Sequence, residues 1–209
     1  MFAFPIESRL ANSRRVLIAG AGGGFDVFSG LPLFFSLRNR GVDVFLANYS
    51  FTALAETDAH PRENELYEVK GSSTSPLPYF PEKHLAAFLE ERDYARPIYA
   101  IEKLGLEQLT AAYAELVESL GINTIVIVDG GTDSLMRGDE VSLGTPAEDI
   151  ATLLAAEATG LENQLLVCLG FGIDRYHGIC HADFLEAVSE LPIARPGTQH
   201  ALTPRTAVI

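Results

Sequence analysis

Four carboxylates, three glycines and an arginine stand within residues 129–141, directly behind the apolar run 124–128. Oxygen donors at that density suit a hard divalent cation, Mg²⁺ or Mn²⁺, or else the hydroxyls and amines of a small ligand. Asp129 and Asp133 are the expected metal ligands, Thr132 and Ser134 the expected ligand contacts, and Arg137 the group that steadies developing charge. A plainer reading has Asp133 and Asp139 shaping turns while Arg137 neutralises them. Against it, Asp129 ends a β-branched run that reads as a buried strand, where an uncompensated carboxylate is costly.

A second constellation is the glycine bend Gly20 to Asp26. Backbone N–H groups of Gly22, Gly23 and Gly24 can approach an anion closely because no side chain intervenes, and Asp26 beside them is a candidate for proton transfer. Alternatively the glycines only permit tight strand-to-helix packing and Asp26 caps the helix. The dinucleotide fingerprint is broken, since its third glycine falls on Phe25 and the second strand runs into Asn48 instead of an acid. No NAD is expected, and the absence of a G-K-[ST] triplet excludes a P-loop. Asn48 and Ser50 leave the second strand at the same sheet end, as hydrogen-bonding groups for a ligand or as turn residues.

The third group follows the last apolar run. Asp174 is an expected ligand contact and His177 an expected general acid or base, with a titration near neutrality in an ordinary setting. His177 and His181 are four apart and would share one face of a helix, a geometry that can hold a metal, but the glutamate of an H-E-x-x-H motif is missing. A purely structural role for the histidines is the competing reading.

Positioning these groups requires strands that all end on one side. Strands are predicted at 15–19, 42–47, 98–101, 124–128 and 164–169. Helices are predicted at 26–39, where Pro32 would kink or delay the start, at 81–91, 106–120, 145–159 and 181–191. Thr145, Pro146 and Glu148 form a capping box, and Gly41, Gly121 and Gly160 close helices. Strand and helix alternation makes the fold class α/β, a Rossmann-like doubly wound, mainly parallel sheet of about five or more strands. Between 48 and 97 the periodicity breaks up around Pro61, Pro76, Pro78 and Pro81, which reads as an irregular, lid-like insertion. Residues 1–191 are expected to form a single domain and 192–209 an irregular tail.

The segments Ile18-Ala-Gly-Ala-Gly-Gly-Gly-Phe-Asp26, Val128-Asp-Gly-Gly-Thr-Asp-Ser-Leu-Met-Arg-Gly-Asp-Glu140, Leu143-Gly-Thr-Pro-Ala-Glu-Asp149 and the stretch 170–181 together resemble an uncharacterised prokaryotic family, domain of unknown function 1152. The resemblance spans residues 15 to 190, and it implies an α/β, Rossmann-like fold without assigning an activity. Similar chains continue after the last helix with further sheet and helix segments. The short 192–209 tail therefore implies an open sheet edge, and with it a homo-oligomer or exchange of the tail between subunits.

A formal charge of −13 with a pI near 4.7 argues against nucleic acid as a partner, because phosphate binding needs clustered Lys and Arg. No apolar run reaches the roughly 18 residues that would span a bilayer, and the first residues lack a signal-peptide core, so no membrane association and a cytoplasmic location are expected. Two cysteines, Cys168 and Cys180, make neither a disulfide framework nor a zinc pattern. The expected function is a metal-assisted hydrolase or transferase acting on a small phosphorylated or nucleotide-like metabolite. The alternative is a non-catalytic module that binds or senses a sugar, amine or nucleotide, and a scaffold subunit is a third class.

Overall fold

The computed structural model describes residues 6, 9–138, 140, 144, 146–178, 180–190 and 205–206. Its centre is an eight-stranded sheet in the order β3-β4-β5-β2-β1-β6-β7-β8. The strands are β1 (Arg15–Gly20), β2 (Asp43–Ser50), β3 (His60–Pro61), β4 (Leu66–Val69), β5 (Ile98–Glu102), β6 (Thr124–Asp129), β7 (Gln164–Cys168) and β8 (Arg205–Thr206). From β5 to β8 every pairing is parallel, whereas β3 with β4 and β4 with β5 are antiparallel.

Alternation along the strands assigns the two faces. Val16 and Ile18, Val44 and Leu46, Val126 and Val128 enter one apolar core, with Val27, Phe34 and Leu37 of helices α1 (Asp26–Ser29) and α2 (Leu31–Asn39) and with Leu85 and Leu89 of α3 (Pro81–Glu90). Leu17 and Ala19, Phe45 and Ala47, Ile125 and Ile127 enter the other, against α4 (Leu106–Leu120), α5 (Pro146–Ala158) and α6 (His181–Glu190). Both faces of each central strand are therefore dry, which is why these runs are continuously apolar instead of alternating with polar residues.

Several local expectations change. The helix predicted at 26–39 is two helices, because Gly30 ends the first and Pro32 sits in the opening turn of the second, where its missing N–H is harmless. Segment 48–97 is irregular over much of its length but also carries sheet and helix. Its first three residues continue β2 and pair with β5, and the remainder supplies β3, β4 and α3, so it forms the antiparallel flank of the sheet. The helix predicted at 81–91 is α3, which Pro81 opens, whereas Pro61 at the end of β3 hid the strands before it. The capping role of Thr145, the position of Asp139 and the predicted irregular tail 192–209, except Arg205 and Thr206 of β8, lie outside the described residues. Among the described residues no helix is long and apolar enough to cross a membrane.

Candidate functional site

β1 lies between β2 and β6, and the chain leaves β1 toward β2 through α1 and α2. The loops after β1 and β6 therefore diverge to opposite sides of the sheet, the topological switch point whose crevice takes ligands in open α/β sheets. Asp26 spans this crevice. One carboxyl oxygen accepts from Gly22 N–H at 3.0 Å and the other from Gly130 N–H at 3.1 Å, joining the glycine bend to the acidic bend. The two segments meet at one rim.

The glycine bend has its shape because side chains are excluded. At Gly23 (φ +90°) a Cβ would stand 2.1 Å from the Tyr49 carbonyl oxygen, and at Gly20 one would strike Asn48. Asn48, wholly buried, donates to the Gly24 carbonyl at 3.1 Å and to Glu82 Oε1 at 2.8 Å, while Thr52 donates to Glu82 Oε2 at 3.2 Å. Asn48 thus holds the bend from below, and Ser50 accepts from Thr52 N–H. The backbone N–H groups of Gly23 and Gly24 find no acceptor among the described residues. That of Gly22 is occupied by Asp26.

The acidic bend is built around Asp129. Its carboxylate, 1% exposed, accepts from Gly131 N–H at 2.6 Å and Ser134 N–H at 3.2 Å. Cys168 on β7 lies 3.7 Å from the same carboxylate and 3.6 Å from Ser134 Oγ. Thr132 donates its N–H to Asp174 at 2.5 Å, so the loop after β7 is tied to the loop after β6. Gly131 allows this, since a Cβ there would sit 2.1 Å from the Asp174 carboxylate.

A further carboxyl completes the cluster. Asp149, in the first turn of α5, is 1% exposed, and its Oδ2 has no hydrogen-bond partner. Burial, then Asp133, Asp129 and Asp26, pushes it up to about 10. Burial, then Asp129, pushes Asp26 up to about 7 despite the N–H groups that favour its charged form. Burial also raises Asp129, against the donation from Ser134 and Gly131. No lysine or arginine acts on Asp26 or Asp149 as strongly as their fellow carboxylates do. Burial and mutual repulsion thus raise Asp26, Asp129 and Asp149 together.

Residues 17–176 match the family described as protein of unknown function (DUF1152). The chain belongs to that family. The matched span runs from β1 to the turn after β7, so it contains both bends, Asp149 and Asp174 of this DUF1152 chain. No curated protein and no solved structure matches it.

Other expected site residues of the DUF1152 chain fall elsewhere or only partly into place. Arg137 pairs with Glu190 and, at 3.9 Å, with Glu186, both on α6. His177 ends a 3-10 segment (Ile173–His177), Gly178 is left-handed, and α6 starts at His181, so the two histidines do not share a helix. Gly178 interrupts the i,i+4 geometry on which a histidine pair would depend, and the side chain of His177 lies outside the described residues. Among the described residues no three His, Cys, Asp or Glu side chains converge on a point that could hold a metal ion.

Asp149 escaped the sequence reading because Thr145, Pro146 and Glu148 explained its neighbourhood as a capping box. Helical spacing carried the signal. Asp149, Thr152 and Ala156 are three and four apart and line the buried face of α5.

Proposed function

We propose that the crevice between the β1 and β6 loops of a Rossmann-like, doubly wound sheet is a small-molecule site, and that its ligand brings positive charge into the carboxylate cluster. In the reading we favour, that charge is Mg²⁺ or Mn²⁺ accompanying the phosphoryl group of a small phosphorylated or nucleotide-like metabolite. Asp129 and Asp133 face the cation, Gly23 and Gly24 N–H groups face the phosphoryl oxygens, and the protein is a hydrolase or transferase. The observation that carries this is Asp26, which touches both bends and whose carboxyl burial pushes up to about 7. A group poised there can take and return a proton at working pH. A cation at this place relieves the repulsion between a phosphate and the ionised members of the cluster.

One observation favours a second reading. Asp149 Oδ2 is buried without a hydrogen-bond partner, and an organic amine would supply both a donor and the charge there, in a non-catalytic binding or sensor module. Thermal unfolding with millimolar Mg²⁺ or Mn²⁺, alone and with nucleotides or sugar phosphates, separates the two. A ligand-dependent rise in Tm that needs the metal and disappears in Asp133→Asn supports the first. A rise with amines alone supports the second, and no rise with any of them overturns both. We further propose a cytoplasmic protein that assembles as a homo-oligomer, with neither nucleic acid nor membrane as partner and no NAD.

A further inference from the structure

A groove of about 350 Å³ lies between α4 and α5, on the sheet face that carries Asp129 and at the same strand ends. Small-molecule sites occupy roughly 300–1,000 Å³ and are largely apolar with a few placed polar groups. This groove has that character. Its walls include Tyr49, Leu106, Ile150 and Leu154, and its charged groups are Lys103 and Glu148, which are ion-paired. Leu106, Ile150 and Leu154 remain 43%, 42% and 43% exposed, so two helices present wetted apolar side chains to one slot.

The groove adjoins both halves of the crevice. Tyr49 forms part of its wall, and the carbonyl of Tyr49 packs against Gly23. Glu148 immediately precedes Asp149 on the other side. The Lys103 ammonium lies 5.0 Å from the centre of the Phe51 ring, and that ring comes to 3.5 Å from where a Gly24 Cβ would be. A ligand lying along this path would pass from aliphatic walls toward the glycine bend.

We propose that the groove is the subsite for an uncharged heteroaromatic ring, so that the ligand of the crevice is a ring-bearing, nucleoside-like metabolite and not a sugar phosphate alone. Aliphatic walls from two helices suit a flat apolar body. The Lys103–Glu148 pair offers donors and acceptors side by side, which matches the adjacent acceptor nitrogen and amino group on the edge of such a ring. The inference rests on the small-molecule reading of the crevice, but not on the metal.

The test uses amide NMR spectra of the whole chain titrated with adenine, with indole as a ring lacking the acceptor–amino edge and ribose 5-phosphate as a ring-free control. Adenine is expected to shift the amide signals of Gly105, Leu106, Ile150 and Leu154 saturably. Ribose 5-phosphate should leave them in place. Leu154→Arg, at a half-exposed position that tolerates a long side chain, should weaken adenine binding at least tenfold, as should Ile150→Arg. Lys103→Met should weaken adenine more than indole. The proposal is overturned by unmoved groove signals with adenine, by both arginine variants binding adenine as tightly as the parent, or by shifts as large with the ring-free control. Loss of the metal-dependent Tm response with intact adenine shifts would remove the metal reading and leave this one standing.

Discussion

Replacing Asp149 with asparagine should stabilise the protein, and by an amount that depends on pH. The carboxyl is buried, one oxygen lacks a partner, and its titration is pushed from 3.8 up to about 10. At pH 7 the folded chain therefore keeps a proton that the unfolded chain has shed. Each pH unit above 3.8 costs the fold about 1.4 kcal/mol for one such group, which makes the penalty at pH 7 on the order of 4 kcal/mol. Below 3.8 both states hold the proton and the penalty vanishes; from there to about 10 only the folded state holds it, so stability falls as pH rises. Asparagine has the same shape and no charge at any pH. Urea unfolding of both proteins across the range from pH 4 to 8.5 should show near equality at the acid end. At pH 7 the variant should lead by about 2–4 kcal/mol, the lower figure allowing for the amide's own need for acceptors. An offset that is constant across pH, or a variant less stable at pH 7, would refute the reasoning.

The same logic applies to Asp26, raised from 3.8 to about 7: the parent should lose stability between those values, and millimolar Mn²⁺ should flatten the slope by supplying the charge that protons otherwise supply, read from the same unfolding curves. Gly23→Ala places a Cβ against the Tyr49 carbonyl at a left-handed φ and should cost about 2–3 kcal/mol; a loss below about 0.5 kcal/mol in urea unfolding would show that the bend is not held there. Asn48→Ala removes the donor from the Gly24 carbonyl and from buried Glu82, with an expected loss of about 2–3 kcal/mol, and Asn48→Asp should be worse because it sets two carboxylates together. Gly131→Ala should displace the Asp174 carboxylate from Thr132 and speed hydrogen exchange at the Thr132 amide, while the amides of β1 exchange as before.

The parallel half of the fold was legible because its strands are dry on both faces and its helices carry clean stops. The run 124–128 reads as buried without any knowledge of partners, and Gly121 is left-handed where the pattern ends. The meeting of the two bends was legible too, since loops after adjacent parallel strands must emerge at one edge. The antiparallel flank was not. Leu66–Val69 offers four residues whose pairing with β5 depends on a strand thirty positions away, and local pattern carries no record of that. Asn48 read as a turn residue for a related reason: polar groups in a strand are plausible only if buried partners exist, and Glu82 and the Gly24 carbonyl become visible only in three dimensions. Asp149 was hidden by a sufficient local explanation, and the pairing of Arg137 with Glu186 and Glu190 was out of reach because α6 brings them across from some fifty residues away.

The outermost strand on the β5 side is two residues long, and one of them is Pro61. A proline has no N–H to offer, and Arg62 after it is tied to Glu68 and Glu115 at 3.0 and 2.9 Å. An incoming chain therefore finds neither a ladder to extend nor a neutral margin to lie along, the arrangement by which sheet proteins resist edge-to-edge aggregation. Any strand recruited from a neighbouring molecule must add on the far margin, beyond β8.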